Sequence, residues 1–544
     1  MEERCLQQVA KAVDDLQERS NVSRPSPEQI RSQAESFGTP TKFGNYNFTS
    51  TIKNRSAALT VYIGGPNVAH GKLTQRRRDI LENLPDTLRL VHEYMRKAPL
   101  VRVDATMGQN SSFTPHCTLY VSTYRKENVR LSHMVGQTLF PKVDTPGPQF
   151  NIVFIPEWQE KDRQILVFPE IGVTYVLGSD YYGEAKKGFL RMAMWHAKQQ
   201  GMLGLHAGAK ILRARDRDGK LRHLGMVIFG LTATGKTTHA CHNHGLSLDG
   251  EGVDIVQDDV VFWCRDGSAL GTEKGFYIKT EGLDPNIQPL LHDAATKKDA
   301  IFENVMVDYL GNVFFDDETL TGNGRGVIQR SDLGEAARGG VNLPSVDELD
   351  GLIMAFIVRR NTVVPIASKL TPEQAAAAFM LGESIESSGS DPRRAGESVR
   401  EVGTNPFIIG DEAQEGNIFY EFVKSHPEKI QCYMLNTGGV GEIVQRNLDG
   451  SKIVKQKVTR VQIPEMASII RGVARDTIEW EEHPQWEVQV PKSVDGVDMS
   501  RFDLSRYYSA EQAEGLIADL RLERTEYIER FQALDPRIRR AIEL

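Results

Sequence analysis

The sequence predicts an α/β chain of more than one domain, and three features predict it. Its 544 residues are too many for one compact core and suggest roughly two to four domain-sized units. Short apolar runs bounded by turn residues alternate with stretches of helical spacing. From Gly225 onward the order becomes strand, glycine-rich loop, helix and second strand.

Residues 1–35 read as a charged helix ending near the turn-rich segment 23–27. Residues 58–63, 151–155, 164–168 and 175–177 are apolar runs of strand length. Residues 183–199 have helical spacing, and 213–222 look like a polar hairpin. Residues 226–229 predict a strand entering the loop, and a helix is expected from Thr237 to about His244-Gly245. A second strand at 254–256 closes on Gln257-Asp258-Asp259, and Phe262-Trp263 begins a third. Residues 383–403 are polar and rich in Ser, Gly and Arg, and loops this long inside compact domains are lids or disordered segments. Residues 509–544 carry helical spacing throughout.

Hydrophobic residues at 40% and charged residues at 25% are ordinary for a globular protein. A formal charge of −8 argues against a broad nucleic-acid surface. The basic runs at 76–78 and Arg359-Arg360 read as solvated faces. Five scattered cysteines without CxxC spacing fit a reducing compartment. The N-terminus has no apolar signal region and no run is long enough to span a membrane, so a cytoplasmic enzyme is expected.

Residues 230–237 read G-L-T-A-T-G-K-T and match GxxxxGK[ST]. Glycines allow successive backbone N–H groups to curl round an anion. Lys236 then reaches the outer phosphates, and the Thr237 hydroxyl sits on a divalent metal. The nucleotide-binding set is Gly230, Leu231, Thr232, Ala233, Thr234, Gly235, Lys236, Thr237 and Thr238. The Asp258-Asp259 pair, placed after a strand that follows such a loop, offers the hard oxygen ligands a nucleotide-bound cation takes.

The order of motifs resembles the ATP-dependent phosphoenolpyruvate carboxykinase family. That family carries G-T-E-Y-A-G-E-x-K-K-S, and residues 178–188 read G-S-D-Y-Y-G-E-A-K-K-G. Its M-H-C-S-A-N resembles L-H-A-G-A-K at 205–210, and its G-D-D-E-H-G-W resembles Q-D-D-V-V-F-W at 257–263. Its E-G-G-C-Y-A-K, L-L-E-N-V and E-N-T-R resemble E-K-G-F-Y-I-K at 273–279, I-F-E-N-V at 301–305 and G-N-G-R at 322–325. L-T-P-E-Q stands at 370–374 and N-T-G at 436–438. The resemblance runs in order from about residue 45 to the C-terminus and is strongest over 175–330.

The resemblance implies a two-domain α/β fold, residues 1–215 binding substrate and 216–544 forming a phosphate-loop nucleotide-binding domain with a mobile lid near 383–403. It implies conversion of oxaloacetate and ATP to phosphoenolpyruvate, ADP and carbon dioxide, with Mn²⁺ and Mg²⁺ as cofactors and small molecules as partners. Lys187, His206 and Asp259 resemble the manganese ligands, and Thr237 would hold the nucleotide magnesium. Lys236, Lys279 and Arg325 would neutralise charge on the transferring phosphoryl group. Lys187, Lys236, Asp259 and Arg325 form the implied catalytic set. Tyr181, Lys187, Arg325 and Arg55 would contact the acid, Arg55 by clamping a carboxylate.

Val260 and Val261 replace a Glu and a His of the family, and Ala233 and Gln257 replace glycines. The family's W-N-G-T-G-K-R after N-T-G and its P-K-D after the substrate arginine are absent. The donor is thus open among ATP, GTP and pyrophosphate. Two other readings stand beside the carboxykinase: a phosphotransferase acting on another small acid or a protein hydroxyl, and a non-catalytic nucleotide sensor. The nitrogen-containing metal set argues against the sensor.

Overall fold

The computed structural model describes every residue except 1, 69–72, 159–162, 232–233, 386–396, 447–451 and 544. The chain forms two compact units, each built from separated stretches. The first comprises residues 1–204, 270–334 and 407–411; the second comprises 205–269, 335–406 and 412–544. Strands and helices are mixed in both. Among the described residues no helix is long and apolar enough to cross a membrane.

The first unit is organised by an eight-stranded mixed sheet. Its path runs Val22–Ser23, Leu100–Thr106, His116–Ser122, Gln149–Ile155, Val173–Leu177, Gln164–Phe168 and Thr60–Tyr62, with Phe140–Pro141 paired to Leu100–Thr106. The expected runs at 151–155, 164–168 and 175–177 all lie in this sheet, because β-branched and aromatic residues fill both of its covered faces. Side chains alternate across it. Tyr175 and Leu177 join a core with Leu84, Leu88 and Val91 of the helix Leu84–Met95. Thr174 points the other way, its hydroxyl 3.4 Å from Met192 Sδ on the helix Tyr182–Gln199. A five-stranded sheet joins Tyr46–Phe48 to Ile301–Glu303, Arg325–Gln329 and Gly275–Lys279, which brings the later motifs into the same unit as residue 181.

The second unit holds another eight-stranded sheet. Its order is Gly252–Gln257, Ala207–Arg215, Leu221–Gly230, Gly351–Val358, Ile430–Asn436, Ala367–Leu370, Gln489–Ser493 and Glu479–Glu482. Leu221–Gly230 runs parallel to Gly351–Val358, which runs parallel to Ile430–Asn436. Residues 213–222 do turn back as a hairpin between Ala207–Arg215 and Leu221–Gly230. One face carries Phe229 and Phe356, stacked at 4.9 Å, and Phe379 and Phe419 from the helices Pro372–Leu381 and Glu412–Lys424.

Three helical expectations are corrected. Residues 1–35 do not form one helix: Glu2–Asp14 and Pro27–Glu35 are separate, because Ser26 caps the second and Pro27 opens it. Residues 509–544 form Ala510–Ile528 and Pro536–Arg540, the latter opened by Asp535 as cap and Pro536. The helix after the glycine-rich loop spans only Lys236–Ala240 and does not reach His244-Gly245.

Candidate active site

In the second unit the strand Leu221–Gly230 delivers the loop to the edge where Asp258 and Asp259 follow Gly252–Gln257. The loop is folded by its own residues. Thr234 donates from its backbone N–H and its hydroxyl to the Leu231 carbonyl, at 3.2 and 2.7 Å. A Cβ on Gly230 would lie 2.5 Å from Thr234 Oγ1, so only glycine fits there. Gly235 has φ +97°, the left-handed backbone that favours glycine. The Thr437 hydroxyl donates to the Thr234 carbonyl at 2.7 Å, tying the N-T-G segment to the loop. Thr232 and Ala233 lie outside the described residues.

The two loop side chains choose different aspartates. Lys236 Nζ is 3.3 Å from Asp259 Oδ1, and the Thr237 hydroxyl donates to Asp258 Oδ2 at 3.3 Å. His206, just before the strand Ala207–Arg215, places Nε2 3.1 Å from the same Asp259 Oδ1. Its Nδ1 is 2.6 Å from the Thr404 carbonyl. A carbonyl only accepts, so Nδ1 carries a proton and Nε2 is the nitrogen that meets the carboxylate. A nitrogen and a carboxylate oxygen at this spacing share a proton, or a cation when one is bound. Metal bonds of about 2.1 Å meeting near a right angle span about 3 Å, and a backbone carbonyl on the far nitrogen is how a ligating histidine is held. The pair therefore fits a divalent cation. Among the described residues no three His, Cys, Asp or Glu side chains group to hold a metal. Thr404 holds its carbonyl there with φ +52°, a backbone uncommon for a β-branched residue.

The first unit gathers the residues expected at the acid. Lys187 Nζ and the Arg55 guanidinium lie 4.8 and 4.5 Å from the centre of the Phe407 ring. Burial pushes Arg55 down from the usual arginine range, opposed by Glu184. The neighbouring Lys186 is a different case: its ammonium donates at 2.6 Å to both oxygens of Glu273, and both side chains are buried. Asn323 donates to the Tyr181 hydroxyl at 3.2 Å and to the Lys53 carbonyl at 2.7 Å, and accepts from Arg325 Nε at 3.0 Å. Tyr181 and Arg325 are thereby held on one amide. Arg325 also lies over the Tyr277 ring at 5.5 Å. Glu303 fixes the turn into the helix Tyr182–Gln199, accepting from the Tyr182 N–H at 3.2 Å, Arg130 at 2.9 Å and the Tyr277 hydroxyl at 2.9 Å. Burial raises the Glu303 carboxyl, and Arg130 opposes the rise. Lys279 is paired with Glu281.

Sequence reasoning passed over Asp258 as the Thr237 partner, and Asn323, Phe407, Thr404 and Thr437. The first belonged to a pair already marked. Asn323 stands inside the G-N-G-R segment, where its proximity to Arg325 was the available signal. Thr437 stands inside the N-T-G segment, whose order in the chain was the available signal, while Phe407 and Thr404 act through a ring and a backbone carbonyl, which no motif announces.

A family model described as phosphoenolpyruvate carboxykinase matches residues 26–500. The chain belongs to the phosphoenolpyruvate carboxykinase family. A relative from Aeropyrum pernix, a phosphoenolpyruvate carboxykinase (ATP), is 30% identical over 438 residues, covering 80% of this chain and 82% of that protein. Carboxykinases of the same description from Nitrobacter hamburgensis and Rhodopseudomonas palustris strain HaA2 are 27% and 28% identical. The first match covers 70% of this chain and 67% of that relative, the second 61% and 56%. Family membership makes the nitrogen-and-oxygen pair His206–Asp259 beside a phosphate-loop lysine intelligible as one piece of chemistry.

Proposed function

We propose that this chain is an ATP-dependent phosphoenolpyruvate carboxykinase, converting oxaloacetate and ATP reversibly to phosphoenolpyruvate, ADP and carbon dioxide. The observation that carries the reading is the meeting of His206 Nε2 and Lys236 Nζ at a single oxygen, Asp259 Oδ1. That oxygen joins a metal-ligating pair to a phosphate-binding lysine, which a nucleotide sensor does not require.

Lys187, His206 and Asp259 are assigned to manganese and Thr237, with Asp258 beside it, to the nucleotide's magnesium. Bound there, the cations supply Lewis acidity to oxygens that gain charge. The chain's own residues do the rest. Arg55 clamps a carboxylate of the acid, and Tyr181 and Arg325, fixed by Asn323, hold it in one orientation. The C–C bond to the departing carboxylate breaks, and its electron pair becomes that of an enolate. The enolate oxygen attacks the γ-phosphorus and ADP leaves, with Lys236, Lys279 and Arg325 offsetting the charge on the transferring group. A lysine ligand must be neutral, so the cation itself has to depress the Lys187 pKa. Excluding water protects the enolate from protonation to pyruvate. The lid role is assigned to 383–403, of which 386–396 lie outside the described residues; its described roots, Glu383–Ile385 and Ser398–Arg400, pair as antiparallel strands. Arg55, Tyr181 and Lys187 are assigned to the N-terminal substrate-binding domain, residues 1–215, and the phosphate loop and Arg325 to the C-terminal one, residues 216–544, and a cytoplasmic setting suits these small-molecule substrates.

The test is to incubate the protein with oxaloacetate, Mn²⁺ and, separately, ATP, GTP or pyrophosphate, and to measure phosphoenolpyruvate. Formation with ATP is expected. Bound nucleotide without product from any donor would sink the proposal. Lys236→Ala is expected to lose nucleotide binding and phosphoryl transfer while retaining metal-assisted decarboxylation of oxaloacetate.

A further inference from the structure

Lys210 has no part in the chemistry above, yet it is fully buried beneath the phosphate loop. It stands on the strand Ala207–Arg215, two residues past Gly208 on the same face. At Gly208 the strand and the helix Lys236–Ala240 press together: a Cβ there would lie 2.8 Å from Ala240 Cβ. Lys210 then turns its amine to the end of that helix. It donates to the carbonyls of His239, at 2.5 Å, and His242, at 3.0 Å, and it meets Nε2 of His244. All three partners belong to one stretch of six residues that leaves the phosphate loop.

We propose that Lys210 is a positioning residue for the phosphate loop, clasping the 239–244 turn so that the backbone carrying Lys236 and Thr237 is fixed against the sheet. The inference rests on the reading that 230–237 receives the nucleotide. It also accounts for the short helix. The His239 carbonyl would accept an N–H four residues on if the helix continued. Lys210 takes that carbonyl instead, with His244 Nε2 also 3.2 Å from it, and the chain reverses through His244, whose φ is +55°. The His239 N–H donates to the Gly235 carbonyl at 2.9 Å, so the clasp is one hydrogen bond from the loop.

The surroundings suit an amine in either protonation state. Burial brings Lys210 down to about 7, and the nearby Cys241 thiol opposes this. As an ammonium it donates to all three partners; as a neutral amine it donates to the two carbonyls and accepts from His244 Nε2–H. Burial also keeps the His242 and His244 rings neutral, so they add no positive charge beside it.

The test compares Lys210→Met and Lys210→Gln with the intact protein. The readouts are MgATP affinity by calorimetry, Mn²⁺ affinity by electron paramagnetic resonance, steady-state constants, and hydrogen exchange of the 235–245 amides. Lys210→Met is expected to weaken MgATP binding on the order of tenfold, the worth of one charged hydrogen bond, with Mn²⁺ affinity unchanged and kcat reduced less than threefold. Lys210→Gln, which keeps N–H donors, is expected to recover part of the loss. In the unaltered protein MgATP is expected to slow exchange at 235–245. Unchanged MgATP affinity in folded Lys210→Met, while Lys236→Ala abolishes binding, overturns the clasp and leaves the loop reading standing. Retained binding in Lys236→Ala removes the loop reading instead. If neither Lys210 variant folds, absence of MgATP protection at 235–245 in the unaltered protein overturns the clasp.

Discussion

Replacing Lys186 by methionine separates two adjacent lysines that look alike in sequence. Lys186 Nζ sits 2.6 Å from both oxygens of Glu273, with side-chain exposures of 0% and 1%. Removing the ammonium leaves a desolvated carboxylate without its nearest cation, which costs about 3–5 kcal/mol for a buried pair. In domains of 150–250 residues each kcal/mol corresponds to roughly 2–4 °C of melting temperature, so Lys186→Met should melt about 10 °C lower. Lys187→Met forfeits a contact with the Phe407 ring, worth about 0.5–2 kcal/mol, and should melt within a few degrees of the unaltered protein while losing Mn²⁺ affinity. Adding Glu273→Met to Lys186→Met should restore most of the stability, since two apolar side chains replace a buried ion pair at little net cost. Differential scanning calorimetry and Mn²⁺ titration on the three variants decide it. Equal melting of Lys186→Met and the unaltered protein would refute the reasoning, as would equal loss of Mn²⁺ affinity at the two lysines.

Two further perturbations test the second unit. Burial alone would raise the Glu383 carboxyl, but Arg360, Arg524 and Arg400 outweigh it and hold the group well below the usual carboxylate range. Its stabilising contribution is therefore complete above the unfolded value near 4.5 and is lost as pH falls toward the folded value. Glu383→Gln should cost about 3–5 kcal/mol at neutral pH and progressively less below pH of about 4.5; urea unfolding that shows a constant deficit across that range contradicts the account. Gly208→Val forces a side chain into the 2.8 Å approach to Ala240. It should destabilise by about 1–3 kcal/mol and raise the KM for ATP, whereas unchanged urea midpoint and KM would show that the helix yields freely.

Features written in contiguous residues were legible without coordinates. Gly235 takes a left-handed backbone that other residues rarely follow, Gly230 leaves room for the Thr234 hydroxyl, and the loop's type follows from those local steric facts. The length and near-continuous apolar character of the runs at 151–155, 164–168 and 175–177 report strands covered on both faces, again a property of contiguous residues. The ordered motifs conveyed the family and nominated Lys187, His206 and Asp259.

Choices among partners distant in sequence were decided by the tertiary structure. Lys186 is paired with the buried Glu273, while Lys187 lies against the Phe407 ring. Thr237 meets Asp258, while Lys236 and His206 meet Asp259. The helix after the loop carries good helical spacing to residue 244, yet a lysine on a neighbouring strand takes the carbonyl it needed. The two compact units are each assembled from three separated stretches of chain, six in all. Spacing encodes what the backbone can do locally; which charge is desolvated, and by whom it is compensated, depends on what the fold carries to it from distant parts of the chain.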